Sequence, residues 1–354
     1  MNTAFASPLH ELQIELSTVC NALCLGCVRT DQINFIKSKT HIPKNKFIDT
    51  DLLFHQITSS KKAQLQKLEF CGNIDEPLAH PQFIQLLEKL SSSSPHLTIS
   101  IHTNGSIRNP KYFTELASVL KKFESHNIRF SIDGLADTNA IYRQNTSFDK
   151  IIENATAFIK ADGSATWQYI HFPWNGHTID EAEILAEEMG FKKFILRKDR
   201  SIDPETIKRI NNKISSAHLQ KEQKRSGFNS DIFKEFDNYN IDCFFKKFNM
   251  MFISWDGKLW PCCYTSNIFY ESNLDKIESF ENNFYGAYDR SFNDLYKNSI
   301  DDILEHPVFK KNIVTGWSES ISQQNSKKIW RCVEKCRSSL EPKAHIKSST
   351  LITE

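Results

Sequence analysis

The sequence predicts an α/β fold, in which a partial barrel of six strand–helix units is followed by a smaller cysteine-rich extension. Two features lead to this prediction. Over the first 200 residues, short strand-like stretches, in which apolar and polar residues alternate, are separated by helix-like stretches. This order is typical of a parallel sheet. The nine cysteines gather mainly near the start and the end of the chain. Six units are too few for a complete eight-unit barrel, so a partial barrel is expected.

The strands of the predicted barrel are stretches in which β-branched and aromatic residues alternate with polar ones. In chain order they are Leu12–Leu16, Lys67–Phe70, Leu97–His102, Ile128–Ile132, Thr166–Phe172 and Phe191–Leu196. The helices predicted between them are Pro81–Leu90, Pro110–Phe123, Phe148–Lys160 and Thr178–Met189. Proline near the first turn of two helices, and Gly190 after the last one, match the residues that helix ends favour.

Length and local composition predict more than one domain. At about 150 residues per domain, a chain of 354 residues suggests two domains, or one large domain with an appendage. We expect the barrel over residues 1–200, a polar linker or insertion over 201–240, a cysteine-rich domain over 241–340 and a polar tail over 341–354. The cysteine-rich domain should contain a hairpin, with two apolar strands around a turn at Asp256–Gly257.

Charge and hydropathy argue against several classes of partner. The chain has 44 Lys and Arg against 43 Asp and Glu, so no global positive field attracts a nucleic acid. No apolar run is long enough to cross a membrane, and the N-terminus has no secretory signal pattern. We therefore expect a cytoplasmic protein with no membrane partner, and the balanced charge argues against a nucleic acid as partner.

Nine cysteines in a cytoplasmic chain indicate metal or cluster ligands rather than disulfides. Cys20, Cys24 and Cys27 follow the first strand with the spacing C-x3-C-x2-C. Three thiolates at this spacing can hold a cubane iron–sulfur cluster and leave its fourth iron open to another ligand. Structural zinc is the alternative, but zinc sites of that kind need a fourth ligand, and no cysteine or histidine follows closely.

The triplet and three later motifs together resemble the radical S-adenosylmethionine (SAM) superfamily. Phe70–Leu78 (FCGNIDEPL) resembles its glycine-rich motif, His102–Ser106 (HTNGS) its Thr-Asn-Gly turn, and Ser131–Gly134 (SIDG) its Ser-x-Asp-Gly segment. Each follows or ends a predicted strand, where parallel barrels place their chemistry. The resemblance covers about residues 10 to 200 and implies a TIM-like (β/α)6 partial barrel with a [4Fe-4S] cluster on the triplet. It also implies SAM cleavage to a 5′-deoxyadenosyl radical that abstracts a substrate hydrogen, and an external one-electron donor such as flavodoxin or ferredoxin.

The same resemblance implies a set of residues that contact SAM. They are Gly72, Asn73, Asp75 and Glu76 at the methionine end, Asn104 in support, Ser131 and Asp133 at the ribose, and Arg143 at the carboxylate. The chain departs from the family pattern at Asn73 and Asp75, where glycine is common, and at Gly26, where an aromatic residue usually packs by the adenine. The adenine contact is then expected from Leu25, Phe172 or Leu196.

The later cysteines resemble the SPASM or twitch extension of that superfamily. Cys243, Gly257 and Cys262 have the spacing C-x13-G-x4-C, and Cys332 and Cys336 follow as C-x3-C. The resemblance implies that these four cysteines hold one auxiliary [4Fe-4S] cluster, the second in the chain, with structural zinc as the alternative.

Two cysteines are left over. Cys71 is interpreted as a small core residue. Cys263 could replace Cys262 as a ligand, or could be a free thiol that donates a hydrogen atom to a substrate radical.

Three classes of function remain open at this point. The first is a radical SAM enzyme that modifies a peptide, and the second is one that acts on a small metabolite, a sugar, a nucleoside or RNA. The third is a non-enzymatic zinc or iron–sulfur scaffold or redox sensor. The motifs for SAM speak against the scaffold, because a scaffold needs no SAM pocket.

Overall fold

The computed structural model describes residues 4–30, 42–197, 239–270, 273–321, 326–338 and 345–350. Within them, one nine-stranded sheet has the strand order β8-β7-β1-β2-β3-β4-β5-β6-β9. The strands are β1 (Leu9–Ile14), β2 (Ala63–Phe70), β3 (Thr98–Thr103), β4 (Ser125–Ser131), β5 (Ala165–Ile170), β6 (Lys193–Arg197), β7 (Met250–Ile253), β8 (Leu259–Trp260) and β9 (His345–Thr350). Strands β1 to β6 are parallel, and β7 pairs in parallel with β1 on its other side. The C-terminal part of the chain therefore continues the sheet of the barrel.

Helices connect the parallel strands and build most of the C-terminal part. The α-helices are α1 (Thr50–Ser59), α2 (Phe83–Ser93), α3 (Pro110–Leu120), α4 (Asn139–Tyr142), α5 (Phe148–Lys160), α6 (Ile179–Met189), α7 (Phe244–Lys247), α8 (Cys263–Ser266), α9 (Leu274–Phe284), α10 (Ile300–Glu305), α11 (Ile313–Gly316) and α12 (Trp330–Cys336). Short 3-10 helices cover Pro77–Ala79, Gly176–Thr178 and Asn267–Tyr270, and a π-helix covers Val308–Asn312. No helix in the described part of the chain combines the length and apolar character that crossing a membrane requires.

The structure confirms the predicted α/β class, the six strands and the four helices, with shifted bounds. Helix α5 has the predicted bounds, and Gly190 ends α6 with a left-handed φ of 88°. The hairpin is also confirmed, since β7 and β8 are antiparallel around a turn in which Gly257 has a φ of 75°. Most of the predicted linker over 201–240 lies outside the described residues.

Two parts of the sequence prediction need correction. Helix α1 was not predicted, although Asp49 caps it by accepting from the main-chain nitrogens of Asp51 and Leu52. The segment predicted as a polar tail contains β9, which pairs antiparallel with β6. Main-chain hydrogen bonds make this pairing, and they do not depend on apolar side chains, so the polar composition did not reveal it.

The two faces of the barrel sheet differ in polarity. Apolar residues at alternate positions, such as Phe130 on β4 and Trp167 on β5, are fully buried in the core that the helices cover. Phe130 contacts Phe113 of α3 and Phe158 of α5, which places this set on the helix side. On β3 and β4 the intervening residues, such as His102 and Arg129, are polar and face the inside of the barrel. The helix side therefore holds the core, and the inner side is left for polar chemistry.

Candidate active site and auxiliary cysteine site

The loop that carries Cys20, Cys24 and Cys27 is fastened to the segments that follow β3 and β4. The main-chain nitrogens of Leu23 and Leu25 donate to the carbonyls of Gln144 (2.8 Å) and Tyr142 (3.2 Å). The side-chain nitrogen of Asn21 donates to Ser106 Oγ over 2.8 Å. These bonds hold the cysteine loop beside the segments that follow β3 and β4, at the C-terminal end of the barrel strands.

Neighbouring thiols affect the ionisation of Cys20 and Cys24. Burial, the nearby Glu76 and the neighbouring Cys24 raise the pKa of Cys20. Burial also raises the pKa of Cys24 to about 11, against the opposing effect of Arg143. As free groups these two thiols stay protonated at neutral pH, and a cationic cluster would stabilise them as thiolates. Three cysteines on one loop, without a fourth on the same loop, fit a cluster with one open iron.

Two polar side chains approach the sulfur atoms. Asn104 Nδ2 lies 3.8 Å from Cys20 Sγ and donates to Asn21 Oδ1 over 2.9 Å. Arg143 Nη1 lies 3.9 Å from Cys24 Sγ. Both residues were predicted for the SAM pocket, and the structure brings both to the cysteine loop, where donors of this kind stabilise thiolate ligands.

Gly26 explains why the aromatic residue common in the family is missing. Its φ of 67° is left-handed, a conformation that glycine adopts without the strain that a side chain brings. An aromatic stack lies beside the loop instead. The Phe172 ring lies 4.5 Å from the Tyr142 ring and 4.7 Å from the Trp174 ring, measured between centroids. Of the three residues predicted for the adenine contact, Phe172 thus belongs to a stack and Leu25 to the loop itself.

Leu196 does not reach the adenine side of the site, so this prediction is wrong. It belongs to the apolar core that the helices cover. On β6 it lies two residues after Phe194 and therefore on the same face of the strand. Phe194 contacts Trp167 on the helix side.

Glu76 connects the ends of β2 and β3. It is fully buried, and its carboxylate accepts from Thr103 Oγ1 (2.7 Å) and from the main-chain nitrogen of Asn104 (2.8 Å). Burial raises the pKa of Glu76, while these hydrogen bonds oppose the rise. Glu76 therefore positions Asn104, and through it the cysteine loop. A SAM amino group bound here would share the carboxylate oxygens of Glu76 with Thr103 and Asn104.

A second buried carboxyl, that of Glu15, supports the glycine-rich segment Phe70–Leu78. The sequence did not predict this role for Glu15. Glu15, just after β1, accepts from the main-chain nitrogens of Asn73 (2.6 Å) and Ile74 (3.0 Å). Asp75 Oδ2 accepts from the main-chain nitrogen of Leu16 over 2.8 Å. A Cβ at Gly72 would lie 2.1 Å from Asp75 Oδ1 and 2.6 Å from Glu15 Cγ, so only glycine fits between the two carboxyls.

These two carboxyls also affect each other's ionisation. Burial raises the pKa of Glu15 to about 8, and burial together with the nearby Glu15 raises the pKa of Asp75 well above its usual value. The pair therefore retains a proton at neutral pH. The sequence did contain an indication of this role: Glu15 lies near the end of the alternating stretch LQIEL, where the first strand ends.

Asp133 and Arg143 form a buried ion pair at the end of β4. Arg143 Nε lies 2.7 Å from Asp133 Oδ2, and Asp133 Oδ1 accepts from the main-chain nitrogen of Ile170 over 2.7 Å. In this structure Asp133 orients Arg143, and a ribose hydroxyl would have to share its oxygens with these donors. Ser131 lies half-buried two residues earlier.

The four later cysteines line one cavity. Cys243, Cys262, Cys332 and Cys336 surround it together with Arg331 and Lys335. Cys332 and Cys336 stand four residues apart on α12 and so share one helix face. The main-chain nitrogen of Asp242 donates to the Cys336 carbonyl over 2.7 Å, which brings the Cys243 segment to the end of that helix.

The chemistry of this second site suits a fully ligated metal centre. Burial raises the pKa of Cys262 to about 11 and that of Cys332 well above its usual value. The side-chain hydrogen bond with Cys336, and then burial, raise the pKa of Cys243 well above its usual value. Four thiols around one cavity fit a cluster closed by four thiolates.

The two remaining cysteines lie outside both sets. Cys263 does not line the cavity, and its main-chain carbonyl accepts from Asn73 Nδ2 over 3.0 Å. Cys71 follows β2 on the inner side of the barrel, where its Sγ lies within 4.8 Å of a Glu69 carboxylate oxygen and a His102 ring nitrogen. The interpretation of Cys71 as a small core residue is therefore wrong, because its neighbours are polar.

Comparisons with known proteins agree with this geometry. The family model of the radical SAM superfamily matches residues 14–189, and that of SPASM, an iron-sulfur cluster-binding domain, matches residues 243–338. A curated relative, GTP 3′,8-cyclase from Desulforamulus reducens, is 26% identical over 127 residues, which are 36% of this chain and 35% of the relative. The matched part thus spans about a third of that relative's length.

Solved structures share the fold at low sequence identity. SuiB of Streptococcus suis bound to the precursor peptide SuiA has a TM-score of 0.52 at 15% identity, covering 87% of this chain and 67% of that chain. Native anSMEcpe with bound AdoMet has a TM-score of 0.51 at 14% identity, covering 84% of this chain and 81% of that chain. The two family models together match more than half of the chain, in the order of the two cysteine sets. The chain therefore belongs to the radical SAM superfamily and is a SPASM-type radical SAM enzyme, which uses a [4Fe-4S] cluster, SAM and a further iron–sulfur centre in its C-terminal domain.

Proposed function

We propose that this enzyme modifies a peptide. The observation that carries the proposal is the continuous sheet, in which β7 of the C-terminal domain pairs with β1 of the barrel beside a polar inner face. SuiB, which shares this fold, was solved with its precursor peptide SuiA. A peptide can extend from the inner face of a barrel to the surface of the adjoining domain, whereas a small metabolite needs only the barrel.

Particular residues are assigned to the cofactors under this proposal. When bound, the cluster and SAM supply one-electron cleavage of the sulfonium bond and abstraction of a substrate hydrogen atom. Cys20, Cys24 and Cys27 are the cluster ligands, and an external donor such as flavodoxin or ferredoxin delivers the electron.

The SAM contacts are assigned along the strand ends. Arg143, held by Asp133, presents a guanidinium that suits the SAM carboxylate. Gly72 lets the main chain approach the methionine end closely. The remaining contacts are Asn73, Asp75 and Glu76 for the methionine end, Asn104 in support, Ser131 and Asp133 for the ribose, and the stack of Phe172 and Trp174 for the adenine.

The auxiliary cluster is assigned to Cys243, Cys262, Cys332 and Cys336. Their arrangement around one cavity supports this assignment, and so does the absence of Cys263 from that lining.

Cys263 is assigned the role of hydrogen-atom donor to a substrate radical, because its carbonyl is bonded to the SAM-binding segment through Asn73. Donation leaves a thiyl radical, which one electron and one proton from the external donor and solvent return to the thiol. Cys263→Ala is expected to form 5′-deoxyadenosine but to change the product. Full turnover to an unchanged product would remove Cys263 from this role.

The test of the peptide proposal uses the reconstituted holoenzyme, kept anaerobic with SAM and a reductant. Short peptides encoded beside the gene are added, and 5′-deoxyadenosine and peptide mass are followed together by mass spectrometry. We expect a change of peptide mass that accumulates in proportion to 5′-deoxyadenosine. Formation of 5′-deoxyadenosine without any change in the peptides would contradict the proposal.

A nucleotide is the second candidate substrate. The similarity to GTP 3′,8-cyclase over 127 residues favours it. Consumption of GTP by the same holoenzyme, with 5′-deoxyadenosine formed in proportion, would establish this candidate in place of the peptide.

A further inference from the structure

The inner face of the barrel carries charged residues that neither cofactor uses. The interior of a complete barrel is usually filled by bulky branched side chains. Charged groups are costly to bury there unless they have polar partners. They come from alternate positions of neighbouring strands and are Glu11, Lys67, Glu69, His102, Arg129 and Arg197.

Lys67 neutralises the carboxylates of this group. Its Nζ lies 2.9 Å from Glu69 Oε2 and 3.2 Å from Glu11 Oε2. His102 Nε2 lies 3.5 Å from Glu69 Oε1. Burial, Arg129 and Arg197 lower the pKa of His102 to about 3, so its ring is neutral at physiological pH. The acidic members are thus engaged, and the net charge of the group is positive.

Arg129 interacts electrostatically with Glu69, but the described residues do not satisfy all of its hydrogen-bond donors. Its Nε is buried without a hydrogen-bond partner among them, and its guanidinium forms no ion pair within the same part of the chain. Leaving a buried charged donor without a hydrogen-bond partner is unfavourable. A ligand that accepts hydrogen bonds and carries negative charge would satisfy it.

The position of Arg129 on β4 relates it to the SAM site. It precedes Ser131 by two residues on the same face of β4, and Asp133 lies two residues beyond the end of that strand. At about 3.3 Å per residue, it lies roughly 7 Å deeper in the barrel than Ser131. An acidic group bound here would hold the rest of a substrate below the SAM-binding strand ends.

A metal ion suits this place less well than an anion. Ligand atoms of Glu69, Cys71 and His102 lie within 4.8 Å of one another. A cation bound there would compete with Lys67 for Glu69 and would face Arg129. Burial also raises the pKa of Cys71 to about 12, so the thiol is protonated at neutral pH.

We propose that Arg129 binds a carboxylate of the substrate peptide inside the barrel, beneath SAM, and thereby selects peptides that present one there. Guanidinium and carboxylate pair through two parallel hydrogen bonds, which gives both strength and orientation. The inference rests on the peptide function proposed above. The carboxylate can come from an Asp or Glu side chain or from a free C-terminus.

The experiment measures selection from pools of random octapeptides by immobilised holoenzyme with SAM, at physiological salt. One pool has amidated C-termini and the other has free C-termini, and bound peptides are identified by mass spectrometry. We expect at least tenfold enrichment of Asp or Glu over Asn or Gln in the amidated pool if a side chain is bound. If the terminal carboxylate is bound, the enrichment should favour the free pool.

Arg129→Gln should abolish this enrichment, and Arg129→Lys should retain part of it. Lys193→Gln is the matched control, because it removes the same charge from an exposed position on β6 and should leave the selection unchanged. Iron content and SAM binding of each variant verify that the protein is folded and loaded.

The outcomes separate this inference from the peptide function. Enriched peptides without an acidic preference, alike for wild type and Arg129→Gln, would overturn the inference and leave the peptide function standing. No enrichment of any peptide by the wild type would overturn the peptide function and this inference with it. One equivalent of zinc in the wild-type holoenzyme, lost in Cys71→Ser, would show that this place binds a metal cation. That result would overturn the proposed carboxylate site.

Discussion

The side-chain amide of Asn73 donates to the main-chain carbonyl of Cys263 over 3.0 Å. Asn73 belongs to the segment after β2 that we propose binds SAM. Cys263 follows directly after Cys262, which lines the cavity of the four later cysteines. The main-chain nitrogen of Glu15, at the end of β1, donates to the carbonyl of Ile253 in β7 over 2.8 Å. The barrel motif and the auxiliary domain are thus joined beside the place where SAM is expected.

The Asn73–Cys263 hydrogen bond is expected to matter for turnover more than for stability. Asn73→Ala should lower the free energy of unfolding by about 1 kcal/mol and slow the formation of 5′-deoxyadenosine several-fold. Asn283→Ala is the control, since Asn283 Nδ2 donates to the Lys328 carbonyl over 2.7 Å within the C-terminal part. It should cost similar stability with unchanged turnover. Equal loss of turnover in both variants would contradict this.

Iron analysis tests the assignment of the two cysteine sets. Wild-type protein purified anaerobically should contain about eight irons per chain, four in each cluster. Replacing Cys332 by serine should leave about four, because its buried thiol belongs to the auxiliary cavity. Replacing Cys263 by serine should leave the iron content unchanged. About four irons and one zinc in the wild type would instead establish a structural zinc site.

The sequence was sufficient for features that depend on local spacing. The C-x3-C-x2-C triplet after β1 and the C-x3-C pair on α12 need only the chain itself to be recognised, and Cys332 and Cys336 of that pair line one cavity in the structure. Features that depend on neighbours distant in sequence were missed. Glu15 supports Asn73 from 58 residues away, and no local pattern reveals that contact.

The incorrect predictions for Cys71 and Leu196 have one cause: the sequence did not show which face of the sheet each residue occupies. Cys71 follows the outward-facing Phe70 and so points inward, and Leu196 shares the outward direction of Phe194. Hydrophobic character alone does not distinguish the two sides of a strand, because the strand's neighbours decide which side is covered.

The pair Glu15 and Asp75 predicts how stability depends on pH. Burial raises the pKa of Glu15 in the folded state to about 8, well above its unfolded value. The folded state then binds more protons than the unfolded state, so stability falls as pH rises toward about 8. Glu15→Gln should have a thermal midpoint that depends less on pH between 6 and 9, measured by circular dichroism on the holoenzyme. A slope equal to that of the wild type would contradict the assignment.

The stack beside the cysteine loop predicts the adenine contact. Trp174 lies nearly parallel to Phe172, with an interplanar angle of 6°, and its indole Nε1 is buried without a partner among the described residues. Trp174→Phe keeps an aromatic ring but removes this donor, so we expect SAM to bind about three- to tenfold more weakly, as one lost hydrogen bond implies.

Calorimetric titration of the holoenzyme with SAM measures this effect. Trp255→Phe is the matched control, because Trp255 Nε1 already donates to Tyr270 Oη over 3.0 Å. Its affinity for SAM should stay within twofold of the wild type. Gly26→Phe should not compensate for the loss in Trp174→Phe, since a side chain at a φ of 67° strains the cysteine loop. Unchanged affinity in Trp174→Phe would place the adenine elsewhere.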